Sequence, residues 1–287
     1  MTRDIAVTGA TGQVGRRVAA RLAAADVPHR LLVRGSATAL DGPAATVSIG
    51  AGYADAPAVR SALDGVGTLF LVSGRESADR VAEHRTIIDA AVRAGVERVV
   101  YLSFLGAAPD CTFTFGRDHW HTEQYLRGTG LGFTFLRDSF YTSMLPALVG
   151  PDGVLRGPGG TGRVSAVAPT DVADAAAAAL VAAAPDQQTY ELTGPVAISL
   201  DEAAEELGRR VGRPIRYQAE TVEEAYASRA GYGAPDFEVA GWVTSYVAIA
   251  DGSLSRVGDG VERLTGHPPL TFAHYLDANP ESYAHLR

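Results

Sequence analysis

The segment FTFGRDHWHTEQYL, residues 113–126, carries the densest group of side chains that can exchange a proton. His119 and Glu123 are four residues apart, so a helix would place the imidazole and the carboxylate on one face. Because an imidazole has an ordinary pKa of about 6.5, His119 is a candidate proton donor at neutral pH, with Glu123 to orient it. The competing interpretation is that His119 only caps the helix or hydrogen-bonds a bound ribose.

The same segment does not predict a metal site. His119 and His121 are two residues apart, and side chains at that spacing diverge by roughly 200° around a helix. Too few ligands would then converge with Asp118 or Glu123 to hold a zinc ion. The chain has a single cysteine, Cys111, which excludes a disulfide framework, and we interpret its thiol as structural.

Composition narrows the class of protein and its chemistry. All 25 basic residues are arginines, so no lysine can form a Schiff base or assist a catalytic tyrosine. The net charge is −8, and no basic stripe interleaved with aromatic residues points to nucleic acid. No apolar run approaches the ~20 residues of a membrane span, and the N-terminus lacks the layout of a signal peptide. We therefore expect a soluble cytoplasmic protein with no nucleic-acid or membrane partner.

The segment VTGATGQVGRRV (7–18) has three glycines between a strand-like run and a helix-like run. Gly9 permits a tight turn, Gly12 permits close backbone approach to a diphosphate, and Gly15 lets the helix press against the strand. The helix N-terminus then offers unpaired N–H groups and a positive dipole to the diphosphate. This context predicts a dinucleotide-binding loop, and the alternative is a tight turn that binds no ligand.

The end of the second predicted strand, LLVRGSA, bears on the choice of nucleotide. NAD-binding loops place a carboxylate there to hold the ribose 2′-hydroxyl, whereas this segment has Arg34 and Ser36. A guanidinium suits a 2′-phosphate, because its hydrogen bonds are bidentate and charge-assisted. We therefore predict NADP(H) as the cofactor. The alternative for Arg34 is a solvated side chain at a strand end.

These groups must be positioned by the elements of the first 140 residues, where short β-branched runs alternate with helical patterns. Val14, Val18 and Leu22, at i, i+4 and i+8, form one apolar helical stripe. Apolar strands that alternate with helices indicate a parallel sheet covered on both faces, and right-handed crossovers make it a doubly wound Rossmann sheet. The predicted strands are 5–8, 30–34, 46–49, 68–73, 98–103 and 133–137.

After residue 140 the alternation breaks, which predicts a smaller C-terminal α+β lobe. The segment 151–165 is rich in glycine and proline and predicts a loop or a hairpin, while 190–194 predicts a further strand. We expect short helices and turns over 214–287. The predicted division is an NADP-binding Rossmann domain over 1–150 and a smaller substrate-binding lobe over 151–287, partly interleaved with the first.

Together the motifs resemble the NmrA-like family of atypical short-chain dehydrogenase/reductases, and within it the bacterial NADPH:quinone reductases. The resemblance rests on GATGQVG, the VR strand end, HRTIIDAAVRAGVERVVYLS, LRDSFY, PTDVADAAAAAL and LTGHPPLTFAHYL, so it spans most of the chain. It implies the Rossmann fold and NADP(H). The family also contains proteins that bind NADP and act as redox sensors without catalysis.

Position by position, the resemblance implies two groups of cofactor contacts. Ser73 and Gly74, after the fourth strand, would line the nicotinamide ribose, and Ser103 matches the serine of short-chain reductases. Arg137 opens the segment 137–141, which would form the wall beside the nicotinamide. The implied contacts with the rest of the dinucleotide are Gly9, Thr11, Gly12, Gln13, Val14 and Arg34.

Reductases that use a catalytic tyrosine and lysine often carry a glutamate four residues beyond the lysine. Alignment on Glu123 places His119 at the lysine position and Phe115 at the tyrosine position, just before the predicted helix. Hydride addition to a ketone builds a localised alkoxide that needs a positioned acid, whereas a quinone or conjugated enone builds a delocalised anion. The missing pair therefore favours quinone or enone reduction, with His119 as the remaining donor.

Aromatic residues cluster at the ends of the fifth and sixth predicted strands, which line the ligand crevice in a doubly wound sheet. The cluster comprises Phe104, Phe113, Trp120, Phe140 and Tyr141. We expect Phe104, Phe113, Phe140 and Tyr141 to form a pocket for a small planar apolar substrate. Core packing is the alternative for each ring taken singly.

The leading hypothesis is an NADPH-dependent oxidoreductase that transfers hydride to a quinone or similar conjugated carbonyl compound. Trp242 and Tyr246 would close its pocket from the second lobe. One alternative is a non-catalytic NADP(H)-sensing protein that binds a protein partner. Another is a tailoring reductase or isomerase of an aromatic natural product. The sequence leaves open whether the chain forms a homodimer.

Overall fold

The main sheet is parallel and doubly wound, as predicted. The structure, a computed structural model, describes residues 4–35, 44–182 and 187–287. Its strands are β1 (Asp4–Val7), β2 (His29–Val33), β3 (Ala45–Ser48), β4 (Val66–Val72), β5 (Arg98–Phe104), β6 (Gly132–Asp138), β7 (Val154–Gly157), β8 (Arg163–Val164), β9 (Thr189–Leu192), β10 (Ile198–Ser199) and β11 (Arg216–Ala219). Seven of them form the main sheet in the order β3-β2-β1-β4-β5-β6-β9, all paired in parallel. The order reverses between β1 and β4, which is typical of a Rossmann fold.

Helices cover both faces of the main sheet. They are α1 (Gln13–Ala24), α2 (Ala56–Ala62), α3 (Arg80–Ala94), α4 (Thr114–Arg127), α5 (Met144–Ala147), α6 (Pro169–Val181), α7 (Leu200–Val211), α8 (Val222–Arg229), α9 (Asp236–Ala250), α10 (Gly260–Thr265) and α11 (Phe272–Ala278), with 3-10 helices at Ala230–Tyr232 and Pro280–Leu286. Helices α1 and α6 pack on one face, and α2, α3 and α4 pack on the other. Within the described ranges, no helix has the length and apolar character that crossing a membrane requires.

The strand sequences explain why both faces are covered. Successive residues of a strand point to opposite faces, so Phe70 and Val100 pack beneath α1 and α6 while Leu71 and Tyr101 pack beneath the other helices. All four side chains are completely buried. Burying an apolar side chain of this size contributes roughly 1.5–3 kcal/mol, so exposing either face would be costly.

The chain after residue 140 differs from its prediction in two respects. The segment 151–165, predicted as a loop or a hairpin, contains β7 and β8, which do not pair with each other: β7 pairs in parallel with β11 and β8 pairs antiparallel with β10. Helix α9 has 15 residues in a region expected to hold only short helices and turns. Strand β9 joins the main sheet beside β6, so the chain returns to that sheet after residue 150. The division at residue 150 stays a prediction.

Candidate functional site

A cavity of about 650 Å³ opens at the carboxyl ends of β4, β5 and β6. Ser73 follows β4, Phe104 ends β5 and Asp138 ends β6, and all three line the cavity. Trp242 and Tyr246, from α9, line it as well, which agrees with their expected place at the pocket. Open parallel sheets bind their ligands at this edge, so the cavity is the candidate functional site.

The loop between β1 and α1 depends on its glycines. Gly9 has a φ of +62°, which residues with a side chain rarely adopt, and its carbonyl accepts a hydrogen bond from the Gly12 N–H at 2.8 Å. A Cβ on Gly15 would lie 2.2 Å from the Gly9 carbonyl oxygen, so only glycine lets α1 approach the loop this closely. The first turn of α1 has no side-chain cap, which leaves its N–H groups available. This cradle fits the diphosphate of a dinucleotide.

Most of the other predicted dinucleotide contacts surround this cradle. Thr11, Gly12 and Gln13 are exposed at its mouth. The Val14 side chain is buried in the core, so only its backbone N–H could serve a ligand. The Ser143 hydroxyl donates a hydrogen bond to Gln13 Oε1 at 3.2 Å, which connects the loop to the segment that follows β6.

The residues predicted to select the nucleotide follow β2. Arg34 is exposed directly after this strand, and its side chain lies against Gly52. The guanidinium is therefore on the surface, on the same edge of the sheet as the glycine loop, because both follow parallel neighbouring strands. Ser36 lies outside the described residues.

Arg80 and His84 fix the segment after β4. The Gly74 N–H donates to His84 Nε2 at 2.7 Å, and the Gly74 carbonyl accepts from Arg80 Nε at 3.0 Å. Because His84 Nε2 accepts, its Nδ1 carries the proton and donates to Thr122 Oγ1 at 2.8 Å. Burial, and then the charge of Arg80, lower the pKa of His84 to about 3, so the ring is neutral. Both backbone groups of Gly74 are thus engaged, and only Ser73 of the predicted pair lines the cavity.

His119 lies in the cavity wall as a neutral imidazole. Arg80 Nη2 donates to its Nε2 at 3.3 Å, so the proton is on Nδ1, which donates to the Tyr101 hydroxyl at 3.0 Å. Burial, followed by the charge of Arg80, lowers the pKa of His119 well below its ordinary value. Only the imidazolium form of a histidine is acidic enough to donate a proton near neutral pH, and His119 stays in the neutral form. This environment does not support the proton donation predicted for His119.

Glu123 does not orient His119, contrary to the prediction. Its carboxylate is completely buried and accepts from Ser103 Oγ at 2.6 Å and from Arg137 Nε and Nη2 at 2.8 and 2.6 Å. These bonds tie α4 to β5 and β6. Ser103 is itself completely buried, and neither Ser103 nor Arg137 lines the cavity. Their positions do not support the cofactor contacts predicted for them.

The segment 113–126 is helical almost from its start, and α4 begins at Thr114. Phe115 and His119 therefore lie inside the helix, whereas the prediction placed them just before it. Phe115, at the tyrosine position, lines the cavity without a group that can donate a proton. Trp120 packs against His121, with ring centroids 5.0 Å apart, and is not part of the cavity wall. In the part of the chain that the structure describes, no three His, Cys, Asp or Glu side chains are arranged to hold a metal ion.

The four aromatic residues predicted for the substrate pocket do meet at the cavity. The ring centroid of Phe104 is 4.9 Å from that of Phe113 and 6.2 Å from that of Phe140. Tyr141 lines the same cavity. These rings give the cavity flat apolar walls, which suit a planar ligand.

The sequence motifs did not single out the carboxyl group of Asp138, at the end of β6. Asp138 is only 5% exposed and lines the cavity, and the Tyr141 hydroxyl donates to its Oδ2 at 2.5 Å. Burial raises the pKa of Asp138 to about 7, and burial together with Asp138 raises the pKa of Tyr141 well above its ordinary value. An acidic residue that ends an apolar strand at the ligand edge was the available signal. The signal for Arg80 was an arginine opening the helix after β4.

Comparisons with known proteins match nearly the whole chain. A model of the NmrA-like family matches residues 1–237. An NAD(P)H azoreductase of Xenophilus azovorans is 33% identical over 97% of this chain and 99% of that protein. A (4-alkanoyl-5-oxo-2,5-dihydrofuran-3-yl)methyl phosphate reductase of Streptomyces griseus is 34% identical over 98% of this chain and 99% of that protein. The crystal structure of an NADPH-dependent quinone oxidoreductase of Escherichia coli complexed with NADPH has a TM-score of 0.85 and 32% identity, and covers 98% of this chain and 99% of that one.

Proposed function

Because the chain belongs to the NmrA-like family, we propose that it is an NADPH-dependent oxidoreductase that transfers hydride to a quinone or a similarly conjugated carbonyl compound. The observation that carries the proposal is the aromatic-walled cavity at the carboxyl ends of β4, β5 and β6. The similar proteins support the same chemistry, because their names describe reduction of azo compounds, quinones and an oxo-dihydrofuran by nicotinamide-dependent or related enzymes.

In this proposal the dinucleotide lies along the carboxyl edge of the main sheet. The N–H groups of Gln13 and Val14 bind the diphosphate at the start of α1. Arg34 receives the 2′-phosphate, which makes NADP(H) the preferred dinucleotide. Ser73 lies where the dinucleotide path enters the cavity. When it is bound, NADPH supplies the hydride.

The cavity walls favour flat, conjugated acceptors. A volume of about 650 Å³ falls within the range of roughly 300–1,000 Å³ for small-molecule sites. Phe104, Phe113 and Phe140 offer ring faces and edges on which a quinone can stack, whereas an aliphatic ketone cannot. Hydride addition to a quinone also spreads the negative charge over the ring, so catalysis can depend on positioning and electrostatics.

His119 acts in this proposal as a positioning residue. Its Nε2 accepts from Arg80, and Arg80 also donates to the Gly74 carbonyl, so the guanidinium is held in the cavity wall from two sides. The positive charge of Arg80 is therefore fixed before a substrate arrives. A preorganised charge of this kind stabilises an anion that develops in the cavity.

Consumption of NADPH, followed by its near-ultraviolet absorbance, tests the proposed function. We expect turnover with benzoquinones and naphthoquinones and none with cyclohexanone, which is of similar size but not conjugated. Substituting NADH for NADPH tests the cofactor preference. Tight binding of NADP⁺ without turnover of any acceptor would favour the non-catalytic sensor. Turnover of an aromatic natural product, but of no quinone and no conjugated enone, would favour the tailoring enzyme.

A matched pair of variants tests the place of the substrate. Phe140 lines the cavity and is 8% exposed, whereas Phe133 is 7% exposed and stacks on Phe135 in the core between β6 and its helices. Phe140→Leu should raise KM for naphthoquinone. Phe133→Leu should lower the free energy of unfolding by a similar amount but leave KM at the wild-type value. Equal KM values in the two variants would argue against stacking on Phe140. A homodimer stays a prediction that sedimentation can test.

A further inference from the structure

Building on the proposed function, we propose that Asp138 gives the substrate the proton that completes its reduction. The carboxyl group ends β6 and lines the cavity among the aromatic residues that would hold the substrate. Asp138 would therefore be the proton donor, the role that a tyrosine has in reductases with the tyrosine–lysine pair. No residue of α4 is needed for the proton.

Asp138 differs from the other carboxyl groups that line the cavity. Glu220 is paired with Arg229 at 2.9 Å. Partial burial also raises the pKa of Glu76, but this residue is exposed, so its proton exchanges directly with solvent. Asp138 is buried, and the partner of its Oδ2 is a neutral hydroxyl. A buried carboxylate without a cation in contact is costly, so the protonated form is favoured. Of these three groups, Asp138 is the one built to carry a proton into the cavity.

The charged and titratable groups around Asp138 come from several elements. From the same segment Tyr141 donates its hydroxyl, and from α3 the charge of Arg80 acts against the effect of burial on the pKa of Asp138. His119, from α4, is neutral. The neighbouring strands β5 and β9 contribute backbone contacts, since Leu105 N–H donates to the Asp138 carbonyl and Ser139 N–H donates to the Leu192 carbonyl. Two other arginines line the cavity, and each has a carboxylate partner: Arg229 is paired with Glu220 and Arg156 with Asp152.

The step balances in atoms and charge. Hydride transfer delivers two electrons and one hydrogen to the substrate, so the resulting anion needs one proton. The O–H bond of Asp138 breaks and a new O–H bond forms on the substrate oxygen. The carboxylate that remains keeps the hydrogen bond from Tyr141, which is stronger to a charged acceptor, until water returns a proton.

Asp138→Asn is the direct test, because asparagine keeps the shape of the side chain and cannot release the proton. In the wild type, kcat with naphthoquinone should be constant in acid and fall as pH rises through about 7, where Asp138 loses its proton. In Asp138→Asn, kcat should be lower by about 10²-fold and independent of pH in this window, with KM near that of the wild type. Asp138→Glu should recover part of the rate.

Tyr141→Phe gives a second, directional test. Its hydroxyl stabilises the carboxylate, so removing it should move the fall in kcat to higher pH. Infrared spectra of the protein without dinucleotide provide a readout apart from turnover. The wild type should show a protonated carboxyl band that disappears around pH 7 and is missing from Asp138→Asn.

The outcomes separate the two proposals. Wild-type kcat and wild-type pH dependence in Asp138→Asn would overturn the role of Asp138 and leave the proposed function intact. Absence of turnover with every quinone would contradict the proposed function, and the infrared band would still report whether Asp138 holds a proton. Unfolding midpoints of the variants show whether each one is folded.

Discussion

Replacement of Gly15 by alanine tests whether the loop between β1 and α1 binds the diphosphate. The new Cβ would lie 2.2 Å from the Gly9 carbonyl oxygen and 2.9 Å from the Thr8 carbonyl oxygen, closer than the 3.0 Å limit of real Cβ contacts. Both obstacles are backbone atoms, so the loop and α1 must separate by roughly 1 Å, a displacement that can cost about 10²-fold in a positioned site. We expect NADPH affinity to fall by that factor, or about 2.7 kcal/mol.

The fold should survive this substitution, which makes the binding measurement interpretable. Alanine is favoured over glycine inside a helix by about 0.8–1.0 kcal/mol, whereas overpacking costs roughly 1–3 kcal/mol. The free energy of unfolding should therefore fall by no more than about 2 kcal/mol. Urea denaturation of the variant checks this expectation.

Calorimetric titration with NADPH gives the result, with Gly231→Ala as the control. No heavy atom lies within 4 Å of the position a Cβ would take on Gly231, so alanine there should leave the affinity unchanged. If a folded Gly15→Ala protein binds NADPH as tightly as the wild type, the diphosphate does not bind at this loop and the reasoning is wrong.

Three further predictions test other parts of the structure. Arg34→Ala should weaken NADPH binding about tenfold, as expected for one charge-assisted hydrogen bond, and leave NADH binding unchanged; a wild type that binds both dinucleotides equally would refute this. Glu123→Gln should lower the free energy of unfolding in urea by about 3 kcal/mol, because Arg137 loses its buried partner. Glu202→Gln, which breaks an exposed ion pair, should lower the free energy of unfolding by less than about 1 kcal/mol. Equal losses in the two variants would contradict the larger contribution expected from the buried Glu123–Arg137 pair. His84 becomes protonated below about pH 6.5 in the unfolded chain, but only near pH 3 in the native state. Between these values the free energy of unfolding should therefore fall by up to about 1.4 kcal/mol for each unit that the pH is lowered. His84→Gln should flatten this dependence, and parallel stability curves for variant and wild type would contradict the buried neutral ring.

The sequence by itself determined the glycine loop and the strands of the main sheet. A positive φ at Gly9 and a missing Cβ at Gly15 are constraints on single residues, so their spacing reveals the turn without knowledge of the rest of the fold. The strands of the first 140 residues fall within two residues of their predicted limits. A strand that is buried on both faces needs a continuous apolar, β-branched run. Each strand of the main sheet can therefore be recognised from its own composition.

Only the tertiary structure decided which polar groups meet and in what protonation state. Glu123 pairs with Ser103 and Arg137, 20 and 14 residues away, because α4 packs against β5 and β6. The helical spacing between His119 and Glu123 did not predict these partners. The acidity of His119 depends on burial and on Arg80, 39 residues earlier, and the proton on Asp138 depends on burial at the cavity wall. Hydrogen-bond partners and the cost of a buried charge are properties of packing, and packing brings together residues whose spacing in the chain carries no signal of their contact.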